Sequence, residues 1–243
     1  MKNNAVGNFF FQYRGQIPLV FLILVTVISI STDLQITQAP YYPWIISLAG
    51  VIVSTGEILR IITLGYTATH SSGRNRSHQL AEELNTKGMY SIVQHPLYLA
   101  NMLLWIGVAL ISNQWAFVLG SLVLSGILFP AIIHQESAFL KKKFGEEYRQ
   151  WQKKTPVIFP KPWLWKSPRL PFQWIRLFAT EYPTWVSICA GTFLSLFMAN
   201  YRIYGNLEFK LEHGICCCFA LLIGFLGRFF KYIVVRKWFK MPI

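Results

Sequence analysis

The chain has 243 residues, 53% of them hydrophobic and 14% charged, with a formal net charge of +13 and a mean hydropathy of +0.39. A soluble domain carries about a quarter charged residues, so this balance excludes an ordinary cytosolic protein and points to a compact integral membrane domain with basic faces. The expected partner on this ground is the bilayer, not nucleic acid.

Apolar runs long enough to cross a hydrocarbon core, about 20 residues, give six predicted spans. The first covers Ile17–Ile36, and no small-x-small site that would mark a cleavable leader follows it. The second, Trp44–Tyr66, carries Glu57 and Arg60 inside it. A polar loop follows, His70–Lys87, with a turn expected at Ser72-Gly73 and a short helix over Gln79–Leu84. The third span, Leu97–Ile111, is short, and only Ser112-Asn113-Gln114 separates it from the fourth, Trp115–Ile133. This predicts a tight antiparallel hairpin. Glu136–Lys154 reads as a separate amphipathic helix at the membrane interface, with Phe139, Leu140, Phe144, Tyr148 and Trp151 on one face and mostly charged residues on the other. Thr155–Pro171, with five prolines and Trp163 and Trp165, is expected to be irregular and to lie at headgroup depth. The fifth and sixth spans are Thr184–Ala199 and Gly214–Val235.

The fold class is therefore all-α integral membrane, with about six transmembrane helices including a tight helical hairpin, and a cytoplasmic interfacial helix. It forms a single domain, 1–243, in three stretches: two spans over 1–66, a core over 67–160, and a connector with the last two spans over 161–243. Lys and Arg are absent from the predicted outer loops except at Arg202 and Lys210, whereas the other side holds Arg74, Arg76, Lys87, Lys141–Lys143, Lys153, Lys154 and the C-terminal cations. The positive-inside bias puts both termini in the cytoplasm, at the inner membrane if the chain is bacterial. Cys189 and Cys216–Cys218 lie in apolar segments without metal-ligand spacing and read as small buried apolar residues.

Two polar blocks flank the hairpin on its cytoplasmic side. In GMYSIVQHPLYLAN, Gly88–Asn101, proline suits the first turn of a helix, so His95 is expected at a helix N-terminus whose free N–H groups favour an anion. Glu136 closes the fourth span. An antiparallel hairpin brings those ends together, so His95, Tyr98 and Glu136 are expected to line one pocket. Glu57 and Arg60, spaced i and i+3, share a helix face, as a structural ion pair or a substrate contact. Arg74, Asn75 and Arg76 cluster donors beside the membrane, as a lipid-attracting loop or a substrate contact.

GMYSIVQHPLYLAN resembles the G-x-Y-x-x-x-R-H-P-x-Y-x-G motif of the isoprenylcysteine carboxyl methyltransferase family, and ESAFLKKKFGEEYRQWQKKTPVIFP resembles its second motif. Both occur in the family's order, over roughly residues 57–160, and resemble its bacterial lipid-methylating branch. The resemblance implies S-adenosylmethionine bound at the cytoplasmic side and lipid entering laterally between helices. It implies Gln94, His95, Pro96, Tyr98, Glu136, Tyr148, Trp151 and Pro156 at the cofactor, with His95 and Glu136 as the catalytic pair. It leaves Glu57, Arg60, Arg74, Asn75 and Arg76 to hold the acceptor. Three positions depart from the motifs. Gln94 stands in place of Arg, Ala100 in place of Gly and Ser137 in place of Glu. Losing the Arg removes a forked cationic donor suited to a carboxylate. The implied activity is methylation of a lipid or lipid-linked headgroup at an anionic oxygen. Alternatives are methylation of a phospholipid amine, an NADPH-dependent sterol-type membrane reductase, and a non-enzymatic lipid-binding protein.

Overall fold

A computed structural model describes residues 9–10, 12–13, 15–31, 40–67, 81–205 and 208–232. The described residues are helical or irregular, with no strand among them. The helices are α1 Ile17–Ser31, α2 Tyr42–Gly65, the single turn α3 Met89–Ile92, α4 Pro96–Ile111, α5 Trp115–Lys154, α6 Trp174–Tyr204 and α7 Leu211–Phe229, with a 3₁₀ turn at Pro162–Leu164. Four of them, α2, α5, α6 and the helix Leu211–Tyr232 that extends α7, are long and apolar enough to cross a membrane, while Ile17–Ile28 and Pro96–Ile111 are shorter apolar helices. Large apolar side chains stay uncovered along them, as at Leu119, Val123 and Ile127 of α5 and Leu222, Phe225 and Phe229 of α7. Such surface is stable only against hydrocarbon, and the protein is an integral membrane protein.

Several hydroxyl residues in these apolar helices satisfy their proton within their own helix. Thr55 donates to the carbonyl of Val51 at 2.8 Å, Thr63 to Leu59 at 2.6 Å and Ser187 to Pro183 at 2.8 Å.

By internal contacts the chain sorts into two compact units. One comprises Met1–Pro18, Gly56–Met102 and Val123–Gln173, and the other Leu19–Thr55, Leu103–Leu122 and Trp174–Ile243. In the second unit Ala49, Ala109, Leu110, Phe117, Val118 and Met198 form a buried core. A Cβ on Gly107 would stand 2.6 Å from Val53 Cγ2 and 3.2 Å from the Ala49 carbonyl, so its hydrogen is what lets α2 and α4 approach there. The predicted hairpin is present as a three-residue turn. Asn113 takes a φ of 55°, a conformation asparagine tolerates better than most residues, and the Ser112 hydroxyl donates to the Ala109 carbonyl at 2.6 Å. In the first unit Met89, Ile92 and Val93 are buried against Leu59, Ile62 and Leu164.

Three sequence expectations change. Glu136–Lys154 is not a separate helix: α5 runs unbroken from the fourth span through the polar residues that follow, and its break comes at Gly145, with φ 55° and ψ −118°. An α-helix satisfies its backbone internally, so leaving hydrocarbon gives it no reason to stop. The amphipathic pattern itself is present, with Tyr148 fully buried, Phe139, Leu140, Phe144 and Trp151 half-buried, and Lys141–Lys143, Glu146, Glu147 and Arg149 exposed. Ala81–Leu84 is not helical, and Gln79, Leu80 and the Ser72-Gly73 turn lie outside the described residues. The cysteines are free but not fully buried: Cys218 is exposed and the other three are half-buried, because the packed helices leave apolar faces outward.

Only glycine enters the φ, ψ region of Gly145 without strain, and nothing lies within 4 Å of where a Cβ would stand. Gly145→Ala is therefore expected to cost about 1–3 kcal/mol through the backbone alone. A thermal scan in detergent should show a lower midpoint, and an unchanged midpoint would mean that the chain does not need this break.

Candidate active site

The residue before a proline is held out of the helical region, so the chain is extended ahead of Pro96 and turns helical there. The carbonyl of His95 accepts from the amides of Tyr98 at 3.2 Å and Leu99 at 3.1 Å, which makes His95 the capping residue of α4. Pro96 opens the helix, as its position in the sequence predicts.

The His95 side chain is 5% exposed, and its Nδ1 lies 3.5 Å from Oε2 of Glu136, itself 22% exposed, on α5. The imidazole stacks on Tyr98 with ring centroids 5.5 Å apart and planes 20° apart, and Tyr98 stacks on Phe129 at 5.5 Å and 25°. Nε2 of His95 is buried with no hydrogen-bond partner among the described residues. Beyond the break in α5, the rings of Tyr148 and Trp151 pack with centroids 5.6 Å apart. Burial raises the Tyr148 phenol above its ordinary pKa; the nearby Ser137 side chain opposes the rise and the Glu136 charge adds to it.

Gln94 is buried and its amide nitrogen donates to the carbonyls of Gln152 at 3.1 Å and Thr155 at 2.5 Å. Its backbone N–H donates to the Pro156 carbonyl at 2.8 Å. Trp151 Nε1 donates to the Tyr90 carbonyl at 2.9 Å. The chain after α5 continues this lacing. Lys161 N–H donates to Ile92 at 3.0 Å, Gly88 N–H to the Lys166 carbonyl at 2.8 Å, and Lys166 N–H to the Ser91 hydroxyl at 2.9 Å. Thr155–Pro171 is irregular apart from one 3₁₀ turn, as expected, and forms a strap over Gly88–Gln94.

The structure brings His95, Tyr98 and Glu136 into contact, sets Tyr148 against Trp151, and hydrogen-bonds Gln94 to Pro156, with Pro96 opening α4. Arg60 stands apart from that set. It is buried in α2 and donates to Oδ1 of Asn101, two turns along α4 from His95, with Glu57 half-buried one turn before it. Arg74, Asn75 and Arg76 lie outside the described residues. Phe129, Asn101 and Ser91 have no place in the sequence reading. Phe129 carried one weak signal, an aromatic one turn before the polar end of the fourth span.

The phospholipid methyltransferase family model matches residues 44–147, which contain most of α2, the hairpin and His95 and Glu136. A chain named as a probable protein-S-isoprenylcysteine O-methyltransferase of Oryza sativa subsp. indica is 31% identical over 137 residues, covering 52% of this chain and 70% of the relative. The chain belongs to the isoprenylcysteine carboxyl methyltransferase family, a family of membrane methyltransferases. A Schizosaccharomyces pombe protein-S-isoprenylcysteine O-methyltransferase is 34% identical over 111 residues, 43% of this chain and 45% of that one. The cobalt-zinc-cadmium resistance protein CzcN of Cupriavidus metallidurans is 28% identical over 124 residues, 51% of this chain and 55% of CzcN. The chain therefore spans little more than half the length of that bacterial relative. No solved structure matches it.

Proposed function

We propose that the protein is an S-adenosylmethionine-dependent methyltransferase that modifies a lipid or lipid-linked headgroup at the cytoplasmic leaflet, with an ionised phosphate or carboxylate oxygen as acceptor. The observation that carries this reading is the buried His95–Glu136 contact at the first turn of α4, with an imidazole nitrogen left unpartnered inside it. A buried polar atom without a partner is rare in a finished structure and fits a site completed by a ligand. The residues present suit the methyl donor: a carboxylate and an imidazole for its polar and cationic parts, and the faces of Tyr98, Tyr148 and Trp151 for a flat heterocycle. When bound, it supplies an electrophilic methyl group on a sulfonium.

The protein's own residues then have a positioning task. The acceptor oxygen has to be held about 3 Å from the methyl carbon and in line with the leaving sulfur. Glu136 fixes the imidazole through Nδ1, and Tyr98 fixes its plane. An ionised oxygen needs no base. The same dyad also supports a second reading, a lipid amine acceptor, because His95 Nε2 paired through its ring to Glu136 is built to take a proton. Arg74 and Arg76, on the basic loop, are the proposed anion contacts, and Arg60 is the deeper one. The positive-inside distribution supports cytoplasmic termini.

Calorimetric titration of the purified protein with S-adenosylmethionine and with NADPH tests the cofactor. Binding of NADPH alone would replace this reading with the reductase. Lipid mass spectrometry should show a species heavier by one methylene only where the protein is present. Arg74→Ala or Arg76→Ala is expected to cut turnover of an anionic lipid about tenfold, since a charge-assisted hydrogen bond is worth about 1.5–3 kcal/mol, with donor affinity unchanged. Unaltered kinetics in both variants would move the acceptor contacts to Glu57 and Arg60.

A further inference from the structure

The strap has two faces of different chemistry. Lys161 and Lys166 give their backbones to Ile92, Gly88 and Ser91, while both residues are exposed. Beside them Phe159 is 84% and Trp163 77% exposed, and Trp165 and Arg169 are exposed too. From Tyr148 to Gln173 the chain carries six cations, at Arg149, Lys153, Lys154, Lys161, Lys166 and Arg169, and no carboxylate. Aromatic rings with interleaved cations and no acid suit the headgroup layer of an anionic leaflet, where tryptophan settles and each nearby cation gains from the negative surface potential. A neutral apolar partner would leave those charges uncompensated.

We propose that the strap Pro156–Pro171 is a docking surface for anionic lipid headgroups, and that docking orders Gly88–Gln94 and with it the turn that presents His95. The link is covalent and short. An ammonium drawn to the leaflet belongs to the same residue whose amide or carbonyl is hydrogen-bonded to the motif. Whatever holds Lys161 and Lys166 in place therefore lowers the frequency with which the lacing opens. The proposal concerns the strap and its lipid and does not depend on which reaction the site performs.

Amide hydrogen exchange of the full chain in nanodiscs tests it without reference to catalysis, because exchange of a laced amide reports how often the strap opens. The comparison is phosphatidylcholine alone against phosphatidylcholine with phosphatidylglycerol, at low and at high salt. Exchange at Ser91–Gln94 and Lys161–Lys166 is expected to slow by about fivefold or more in the anionic discs, with the effect shrinking in high salt. The Lys161→Gln, Lys166→Gln, Arg169→Gln variant should lose the difference, and Lys161→Arg, Lys166→Arg should keep it. Equal exchange in both lipids, or a difference that survives either neutralisation or salt, would overturn the proposal. Protection in phosphatidylcholine alone that grows with protein concentration would assign the surface to a second copy of the chain and overturn it as well.

Discussion

His95→Ala is expected to lower turnover by about a hundredfold or more, because it removes the ring that Tyr98 and Glu136 together hold in one plane, and misplacement by about an ångström in such a site costs that much. Glu136→Ala should approach the same loss, since it removes the carboxylate at Nδ1 and leaves the stack on Tyr98 to hold the imidazole. The two losses should not add, because each variant disables one unit, and the double variant should be little worse than His95→Ala. His95 is buried, so His95→Ala should also lower the thermal midpoint somewhat, whereas Glu136→Ala, at a partly exposed side chain, should leave it close to wild type. Donor affinity by calorimetry and turnover by lipid mass spectrometry are the measurements. Wild-type values for both in the single variants would remove the pair from the site.

Gln94→Leu is expected to act through the frame instead. It deprives the Gln152 and Thr155 carbonyls of their side-chain donor and sets an apolar group against them, at a cost of about 2–4 kcal/mol for two orphaned acceptors. The strap should loosen, the thermal midpoint should fall, and proteolysis after α5 should quicken. Gln94→Arg restores donors at the same place and should recover most of the stability. If Gln94→Leu leaves stability intact and only raises the KM for the acceptor, then Gln94 is a substrate contact and not a clamp.

The contrast between these two sites shows what the sequence made legible. His95 was placed by chemistry within a few residues, because a proline dictates both the extended residue before it and the helix after it. The meeting of His95 with Glu136 needed only the three-residue turn, which leaves little freedom to a hairpin. The six apolar segments were legible from hydropathy, and the helices found there differ mainly in where they end. Polarity, though, marks where a helix leaves hydrocarbon and not where it stops, so α5 was divided at His134–Glu136 when its backbone break lies at Gly145. By its motif position Gln94 reads as a replaced arginine facing a ligand. Its actual partners, 58 and 61 residues away, are main-chain carbonyls, which carry no side-chain signature in a sequence.

The length of α4 has one more consequence. Its 16 residues extend about 24 Å, against about 30 Å for the hydrocarbon core of a typical bilayer. A helix with that hydrophobic mismatch cannot reach both surfaces at once. The membrane thins around it, or its first turn is recessed beneath the headgroup plane. His95 caps that first turn, so the depth of the proposed reacting centre would follow bilayer thickness as well as the protein. Short-chain lipids bring the centre to the water, and long-chain or sterol-thickened membranes bury it, admitting only acceptors whose tails carry them down to it.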